Sequence, residues 1–298
     1  MTRKISEDEL LFLEQYDEKH YKKPSVTVDI SVFSVLDIDS KNYRKLPEKE
    51  LKILLIKRKE HPYKNDWALP GGFVHIDESL EDAAYRELKE ETNLDNLYLE
   101  QLFTWGAVDR DPRTRVISSS YMALINGENV RIIAGTDSED ARWFSIKTRI
   151  IKENQVMNDE GYILEKQIEI ILSNHDIYLN AELKITKEML SGKISMKREI
   201  VSSSGLAFDH AKIIHYSLER LRAKVEYSDI VFNLMSNEFT LTELQNVYEV
   251  ILDTKLLAAN FRRKITKFVD ETVYTTSRAG HRPAKLFQYK NQDEYDFY

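Results

Sequence analysis

Three glutamates with helical spacing are the first candidates for a chemically active site. Glu87, Glu90 and Glu91 stand at positions i, i+3 and i+4 of a predicted helix over Ser79–Thr92, so their side chains share one helix face. Like charges at these spacings destabilise a helix by roughly 0.2–0.5 kcal/mol per pair, which a bound cation would offset. Carboxylate oxygens are hard ligands that suit Mg²⁺ or Mn²⁺. The alternative is the solvated face of an amphipathic helix.

A longer pattern surrounds these glutamates. It reads Gly72-x5-Glu78-x7-Arg86-Glu87-Leu88-x-Glu90-Glu91-x-Asn93-Leu94. This stretch resembles the Nudix box, whose pattern has glycine at the position of Asn93. Asparagine is the next best residue for a left-handed helix C-cap, so we expect the local geometry to be kept. The resemblance implies a Nudix α/β/α sandwich and a hydrolase of nucleoside diphosphate derivatives, of the ADP-ribose pyrophosphatase type.

The same resemblance implies roles for individual residues of the box. Glu87 and Glu91 are expected to bind the metal, with the third glutamate beside them, and all three are expected to be catalytic. Gly72 is expected to offer its backbone carbonyl to the same metal. Glu78 and Arg86 are expected to form a salt bridge that joins the preceding loop to the helix.

The general base is expected in a loop outside the box. Glu139 is the candidate, within the acidic segment Asp137-Ser-Glu-Asp140. Asp137 and Asp140 are rivals for the same role. A solvated acidic turn is the alternative interpretation.

A second loop is rich in arginine and is expected to bind the substrate. Arg110, Arg113 and Arg115 lie close together in the sequence, and guanidinium groups match the geometry of phosphate oxygens. Trp105 precedes this loop and is a candidate to stack on an adenine base. A core or surface tryptophan is the alternative for that residue.

Composition bounds the class of protein. The chain has 298 residues, enough for two domains, and 42% of them are hydrophobic. It has no cysteine, which excludes disulfides, zinc–thiolate sites and cysteine nucleophiles. It also lacks a run of 18 apolar residues and the apolar region of a secretory signal. We therefore expect a cytoplasmic protein that does not bind a membrane.

The predicted elements give an α+β fold in two domains. Strands are predicted over Ser25–Leu36, Leu51–Ile56 and Val116–Ile125, and Arg142–Phe144 is expected to begin or end another. Alternating runs between residues 154 and 204, with turns expected at Asn174–Asp176 and Ser191–Gly192, predict a β-rich extension of the first domain, which spans residues 1–204. The serine-rich segment Ser202–Gly205 is the predicted linker to a second domain over residues 205–298.

The second domain has the element order of a winged helix. Helices are predicted over His210–Lys224, Thr240–Leu252 and Asn260–Phe268, followed by a hairpin from Val269–Thr276 and Pro283–Tyr289. Thr240–Glu243 is a predicted capping box at the start of its helix, and Ser79–Asp82 in the first domain resembles one, with aspartate in place of glutamate. The whole net charge of −7 lies in residues 1–204, whereas residues 205–298 carry equal numbers of acidic and basic residues. The third helix is strongly basic, which favours contact with DNA phosphates.

Several segments resemble the Nudix-related transcriptional regulators of NAD metabolism, the NrtR group. These segments are Pro24–Asp29, Asp109–Pro112, Leu206–Ile213, Arg222–Tyr227, Glu238–Leu244, Asn260–Ile265 and Gly280–Lys285. The resemblance implies that the Nudix domain senses ADP-ribose or a related nucleoside diphosphate, and that the winged helices of a homodimer bind operator DNA. The residues then expected to contact DNA are Arg262, Arg263, Lys264, Lys267, Arg278, His281, Arg282 and Lys285.

Three functions compete at this point. The first is an ADP-ribose-sensing transcriptional regulator with a catalytically competent, Mg²⁺-dependent Nudix site. The second is a Nudix hydrolase whose winged helix serves only dimerisation. The third is a nucleotide-binding scaffold without chemistry. The basic helix separates the first from the second, and the unbroken glutamates separate both from the third.

Overall fold

A ten-stranded mixed sheet forms the centre of the computed structural model, which describes residues 5–17, 19, 21–38, 47–92, 97–127, 130, 132, 138–276 and 283–290. Its strands are β1 (Ser25–Asp37), β2 (Lys49–Arg58), β3 (Trp67–Ala68), β4 (Gly71–Phe73), β5 (Tyr98–Trp105), β6 (Val116–Leu124), β7 (Ser138–Asn158), β8 (Gly161–Asn174), β9 (Ile177–Leu190) and β10 (Lys193–Ser204). The strand order is β10-β9-β8-β7-β2-β1-β6-β5, with β3 paired to β2 and β4 to β1.

Strand β1 lies inside the sheet and is buried on both faces. It pairs parallel with β6 and antiparallel with β2 and β4. Because side chains alternate along a strand, Val28, Ile30 and Val32 enter one apolar cluster, while Phe33 and Val35 enter a second cluster on the opposite face. Each face therefore needs its own helical layer.

Helix α2 (Leu80–Thr92) covers the first face. Ser79 caps it: the Ser79 Oγ accepts a hydrogen bond from Asp82 N at 3.1 Å, and the Asp82 carboxylate accepts one from Ser79 N at 3.3 Å. The predicted capping box is thus confirmed, with aspartate in the reciprocal position. Small or apolar residues, among them Ala84 and Leu88, pack on the sheet. The opposite face of α2 carries the glutamates.

Helix α3 (His210–Tyr227) covers the second face. The Oγ atoms of Ser217 and Ser31 lie 2.8 Å apart in a buried hydrogen bond that joins α3 to β1. Ile213, Ile214 and Leu221 enter the same apolar cluster as Phe33 of the sheet. The third layer of the sandwich is therefore a helix that sequence analysis assigned to the second domain.

The β-rich extension is continuous with the sheet. The turns predicted at Asn174–Asp176 and Ser191–Gly192 connect β8 to β9 and β9 to β10. Arg142–Phe144 lies inside β7, so the prediction that it begins or ends a strand is wrong. The linker prediction for Ser202–Gly205 is also wrong: Ser202, Ser203 and Ser204 pair with β9, and the Gly205 carbonyl accepts a hydrogen bond from Trp67 N at 2.8 Å.

The remaining elements form the predicted winged helix. After α3 come a short 3-10 helix (Ile230–Leu234), α4 (Leu241–Leu252), α5 (Ala258–Ile265) and a hairpin of β11 (Val269–Thr275) and β12 (Lys285–Tyr289). The predicted capping box between Thr240 and Glu243 opens α4. The N-cap of α5 is Leu257, whose side chain makes no capping hydrogen bond. The acidic tail Asn291–Tyr298, expected to be disordered, falls outside the described residues.

One apolar cluster runs from the sheet into the winged helix. It includes Phe33 of β1, Leu218 of α3, Leu244 of α4 and Phe261 of α5. The core does not divide at residue 204, where sequence analysis placed the domain boundary. The N-terminal helix α1 (Glu7–Gln15) lies apart from this core and buries none of its residues. The described helices include none that is long and apolar enough to cross a membrane.

Candidate nucleotide and metal site

A cleft of about 490 Å³ opens beside the N-terminal half of β1. Its walls come from β1, β2, β4, α2, the loop before β6 and the segment that leads into α3. The three box glutamates, Arg110 and Arg113 all line it. Acidic and basic groups from distant parts of the sequence thus surround one cleft. A ligand that carries phosphate groups and a bound cation requires both kinds of group.

The predicted salt bridge of the box is present. Arg86 donates to Glu78 from Nη2 at 2.7 Å and from Nε at 3.0 Å, and its Nη2 also reaches the Phe73 carbonyl at 3.2 Å. The hydrogen bonds from Arg86, with that from the backbone N–H of His75, lower the pKa of Glu78 to about 2. The pair therefore stays ionised across the physiological pH range and joins the β4 loop to α2.

The three glutamates differ in burial. Glu91 is 6% exposed, whereas the side chain of Glu90 is 47% exposed. Arg86 Nη1 lies 2.6 Å from Glu87 Oε1 and 3.6 Å from Glu90 Oε1. Among the described residues no three acidic or histidine side chains converge at metal-binding distance. The guanidinium of Arg86 instead supplies positive charge between two of the carboxylates.

The surroundings of Gly72 fit a metal at this position. A Cβ atom on Gly72 would lie 2.1 Å from Glu87 Oε1, so the glycine leaves room for that carboxylate beside the backbone. Carboxylate oxygens with a nearby backbone carbonyl form the ligand set that Mg²⁺ and Mn²⁺ prefer. Asn93, the departure from the Nudix pattern, lies outside the described residues.

The three arginines of the loop before β6 have different surroundings. The buried side chain of Arg110 contacts Asp209 at 2.7 Å and Asp29 at 3.3 Å. Arg113 pairs with Asp111 at 2.7 Å, and its half-exposed guanidinium faces the cleft. Arg115 donates to loop carbonyls, among them Gly106 O at 2.8 Å, and does not line the cleft. Of these three arginines, Arg110 and Arg113 line the cleft, and the side chain of Arg113 is the more exposed of the two.

Two predicted site residues lie away from the cleft. The ring of Trp105 packs against Phe103 and Tyr216, and its Nε1 donates to Ser120 Oγ at 3.0 Å, so the predicted stacking on a base is not supported. Glu139 is half-exposed and pairs with Lys57 at 3.0 Å, outside the lining of the cleft.

Neither rival of Glu139 takes its place in the cleft. Asp140 pairs with Arg142 at 2.7 Å and does not line the cleft, and Asp137 falls outside the described residues. The predicted general base in this acidic segment is therefore not supported by the described residues.

The segment that leads into α3 carries part of the family resemblance, but none of its residues was predicted to line the site. Phe208 and His210 line the cleft, and Asp209 precedes α3. His210 Nδ1 accepts a hydrogen bond from Leu69 N at 2.9 Å, and its Nε2 lies 3.5 Å from Asp29 Oδ1. Burial lowers the pKa of His210, so the ring is neutral with its proton on Nε2. The serine-rich stretch before this segment was interpreted as a linker, which assigned these residues to the second domain.

The candidate DNA-binding residues that the structure describes are exposed basic side chains on α5, just after it and on β12. Arg262 and Arg263 are exposed. Lys264 Nζ donates to the Glu226 carbonyl of α3 at 2.6 Å, and Lys267 Nζ lies 4.6 Å from the centre of the Phe268 ring. Lys285 pairs with Glu271 across the hairpin. The remaining candidates, Arg278, His281 and Arg282, fall outside the described residues.

Comparisons with known proteins match both parts of the chain. A model described as the NUDIX domain matches residues 43–165, and one described as the NrtR DNA-binding winged helix domain matches residues 231–289. The ADPR-responsive transcriptional repressor NtrR of Acinetobacter baylyi is 33% identical over 292 residues, which are 97% of this chain and 91% of the relative.

Two solved structures are similar along most of their length. A MutT/nudix family protein from Enterococcus faecalis has a TM-score of 0.65 and 32% identity, covering 96% of this chain and 94% of that one. NrtR from Shewanella oneidensis in complex with a 27mer DNA has a TM-score of 0.56 and 27% identity, covering 90% and 94%. In each of these solved structures, one chain therefore contains counterparts of both the sandwich and the winged helix.

The contact between Gly72 and Glu87 predicts the effect of a Gly72→Ala substitution. The added Cβ would displace the Glu87 carboxylate, so we expect Mn²⁺ affinity, measured by electron paramagnetic resonance, to fall roughly 10- to 100-fold. Gly106→Ala is the control, because the nearest atom to its Cβ is Arg115 Nη2 at 3.8 Å, an ordinary contact. Equal Mn²⁺ affinities for the two variants would contradict a metal site at the box.

Proposed function

This chain belongs to the NrtR family of Nudix-domain transcriptional regulators, and we propose that it is a repressor that responds to ADP-ribose or a related nucleoside diphosphate. The observation that carries the proposal is the cleft itself, in which box glutamates and Arg113 face one another. A diphosphate linked to two sugars fits such a site, because its charge needs both a cation and a guanidinium.

We further propose that the Nudix site is catalytically competent. Glu87 and Glu91 would hold a divalent cation, Mg²⁺ or Mn²⁺, with the Gly72 carbonyl. When bound, that cation neutralises diphosphate oxygens and promotes ionisation of water. Arg113 neutralises charge at the other side of the cleft. Glu90, the most exposed of the three box glutamates, accepts the proton of the attacking water in place of Glu139.

A Glu91→Gln substitution tests the hydrolase. It keeps the shape of the side chain and removes one charge, so we expect the turnover of ADP-ribose to AMP and ribose 5-phosphate to fall by about 100-fold or more. Glu81→Gln is the control, since Glu81 lies exposed on the same helix and does not line the cleft. A wild-type protein that binds ADP-ribose and cleaves no diphosphate would favour a sensor without catalysis.

The basic surface of α5 is proposed to bind operator DNA. Two copies of the chain are required, because half-sites about 34 Å apart need two winged helices. We expect Arg262→Ala with Arg263→Ala to weaken DNA binding and to reduce the salt slope by about 2, one for each lost phosphate contact. Fluorescence anisotropy over a salt series measures both quantities.

The matched control removes two exposed basic residues from the sheet. Arg149 and Lys197 pair with Glu169 and Glu199 on the sheet, away from the winged helix. Arg149→Ala with Lys197→Ala should leave the salt slope unchanged. If both double variants behave alike, or if wild-type protein binds no DNA at low salt, the winged helix serves dimerisation, which is the competing function.

Ligand and DNA binding are proposed to oppose each other. Asp209 precedes α3 and pairs with Arg110 of the cleft loop, so a ligand that moves this loop also shifts the helix leading to the DNA-binding surface. We expect saturating ADP-ribose to weaken operator affinity by about 5- to 150-fold, and operator DNA to weaken ADP-ribose binding equally. Fluorescence anisotropy measures the operator affinity with and without ADP-ribose, on an operator selected from random duplexes. Ca²⁺ replaces Mg²⁺ in these titrations to limit cleavage of the ligand. An operator affinity that ADP-ribose leaves unchanged would refute the coupling.

A further inference from the structure

Phe208 has a backbone conformation that bulky residues rarely adopt. Its φ is +52°, in the left-handed region that favours glycine. Such a conformation costs energy and persists only where the surrounding structure enforces it, which is common at ligand sites. The position of the ring therefore needs an explanation beyond chain connectivity.

Hydrogen bonds on both sides of Phe208 enforce this conformation. Before it, Ala207 N donates to the Trp67 carbonyl at 2.9 Å, which attaches the segment to β3. After it, the Asp209 carboxylate is held by Arg110. The backbone is fixed at both ends, and the ring lines the cleft, where it packs against the small apolar cluster of Ile56, Ala68 and Ala207 and not against the main core.

The ring of Phe208 lies among guanidinium and aromatic side chains at the edge of the cleft. Arg58 and Arg113 lie with their guanidinium carbons 4.9 and 5.8 Å from its centre, and the Tyr63 ring centre is 4.7 Å away. Arg113 also lies 5.5 Å from the Phe73 ring, so it stands near two aromatic side chains of the cleft. Guanidinium and aromatic planes are the surfaces on which nucleobases stack.

We propose that Phe208 is the residue on which the purine base of the bound nucleotide stacks, with Arg113 beside it at the diphosphate. This inference rests on the proposed function and deepens it, because it names the part of the ligand that Phe208 recognises. Phe208 thus takes the base-stacking role that was predicted for Trp105, whose ring packs against Tyr216 instead. Phe208 stands two residues before α3, so the base contact lies in the segment that joins the cleft to the DNA-binding helices.

The test compares a ligand with a base and a ligand without one. Isothermal titration calorimetry with Ca²⁺ is carried out on the full-length protein with ADP-ribose and with inorganic pyrophosphate. We expect Phe208→Gly to weaken ADP-ribose binding about 10- to 100-fold and to leave pyrophosphate binding unchanged. Glycine adopts φ of +52° without strain, so this variant is expected to fold. Phe208→Trp should retain ADP-ribose affinity, because it keeps an aromatic plane.

Phe103→Ala is the control, since Phe103 is a half-exposed aromatic residue outside the cleft. Equal loss of both ligands in Phe208→Gly would indicate a general disturbance of the cleft and overturn the base contact. Unchanged ADP-ribose affinity in that variant would overturn it too, while the proposed function would stand. A wild-type protein that binds pyrophosphate but not ADP-ribose would refute both.

Discussion

The pairing of Arg110 with Asp209 and Asp29 is the interaction on which the arrangement of the molecule depends. All three side chains are buried, and they come from the cleft loop, the start of α3 and strand β1. Removing one member of a buried ion pair leaves an uncompensated charge and typically costs about 3–5 kcal/mol. The cleft loop and α3 therefore hold each other in place, with the sheet as the common support.

Helix α3 has two structural roles as a result. Its first turn is part of the cleft wall through His210, and its middle covers the sheet through Ile213 and Ser217. Its last turn contacts the basic helix, since Lys264 donates to the Glu226 carbonyl. Helix α3 thus connects the cleft directly to the surface proposed to bind DNA.

The sequence predicted those features that depend on spacing along the chain. The Nudix box, its salt bridge and both capping boxes follow from residue types three to eight positions apart. The features it did not predict depend on contacts between distant segments. Ser202–Ser204 have the composition of a loop, but their backbone groups pair with β9. Likewise, no local pattern indicates that Phe208 has a positive φ or that Trp105 packs against Tyr216.

The shared apolar core also bears on how such a chain can evolve. Modules that recombine freely between proteins carry separate cores and meet through small polar interfaces. Here the residues that close the sandwich, such as Leu218, belong to the same cluster as Leu244 and Phe261 of the winged helix. Transfer of either half to another protein would expose apolar surface on both. Separating the two halves would therefore require polar replacements for the apolar residues of this shared cluster.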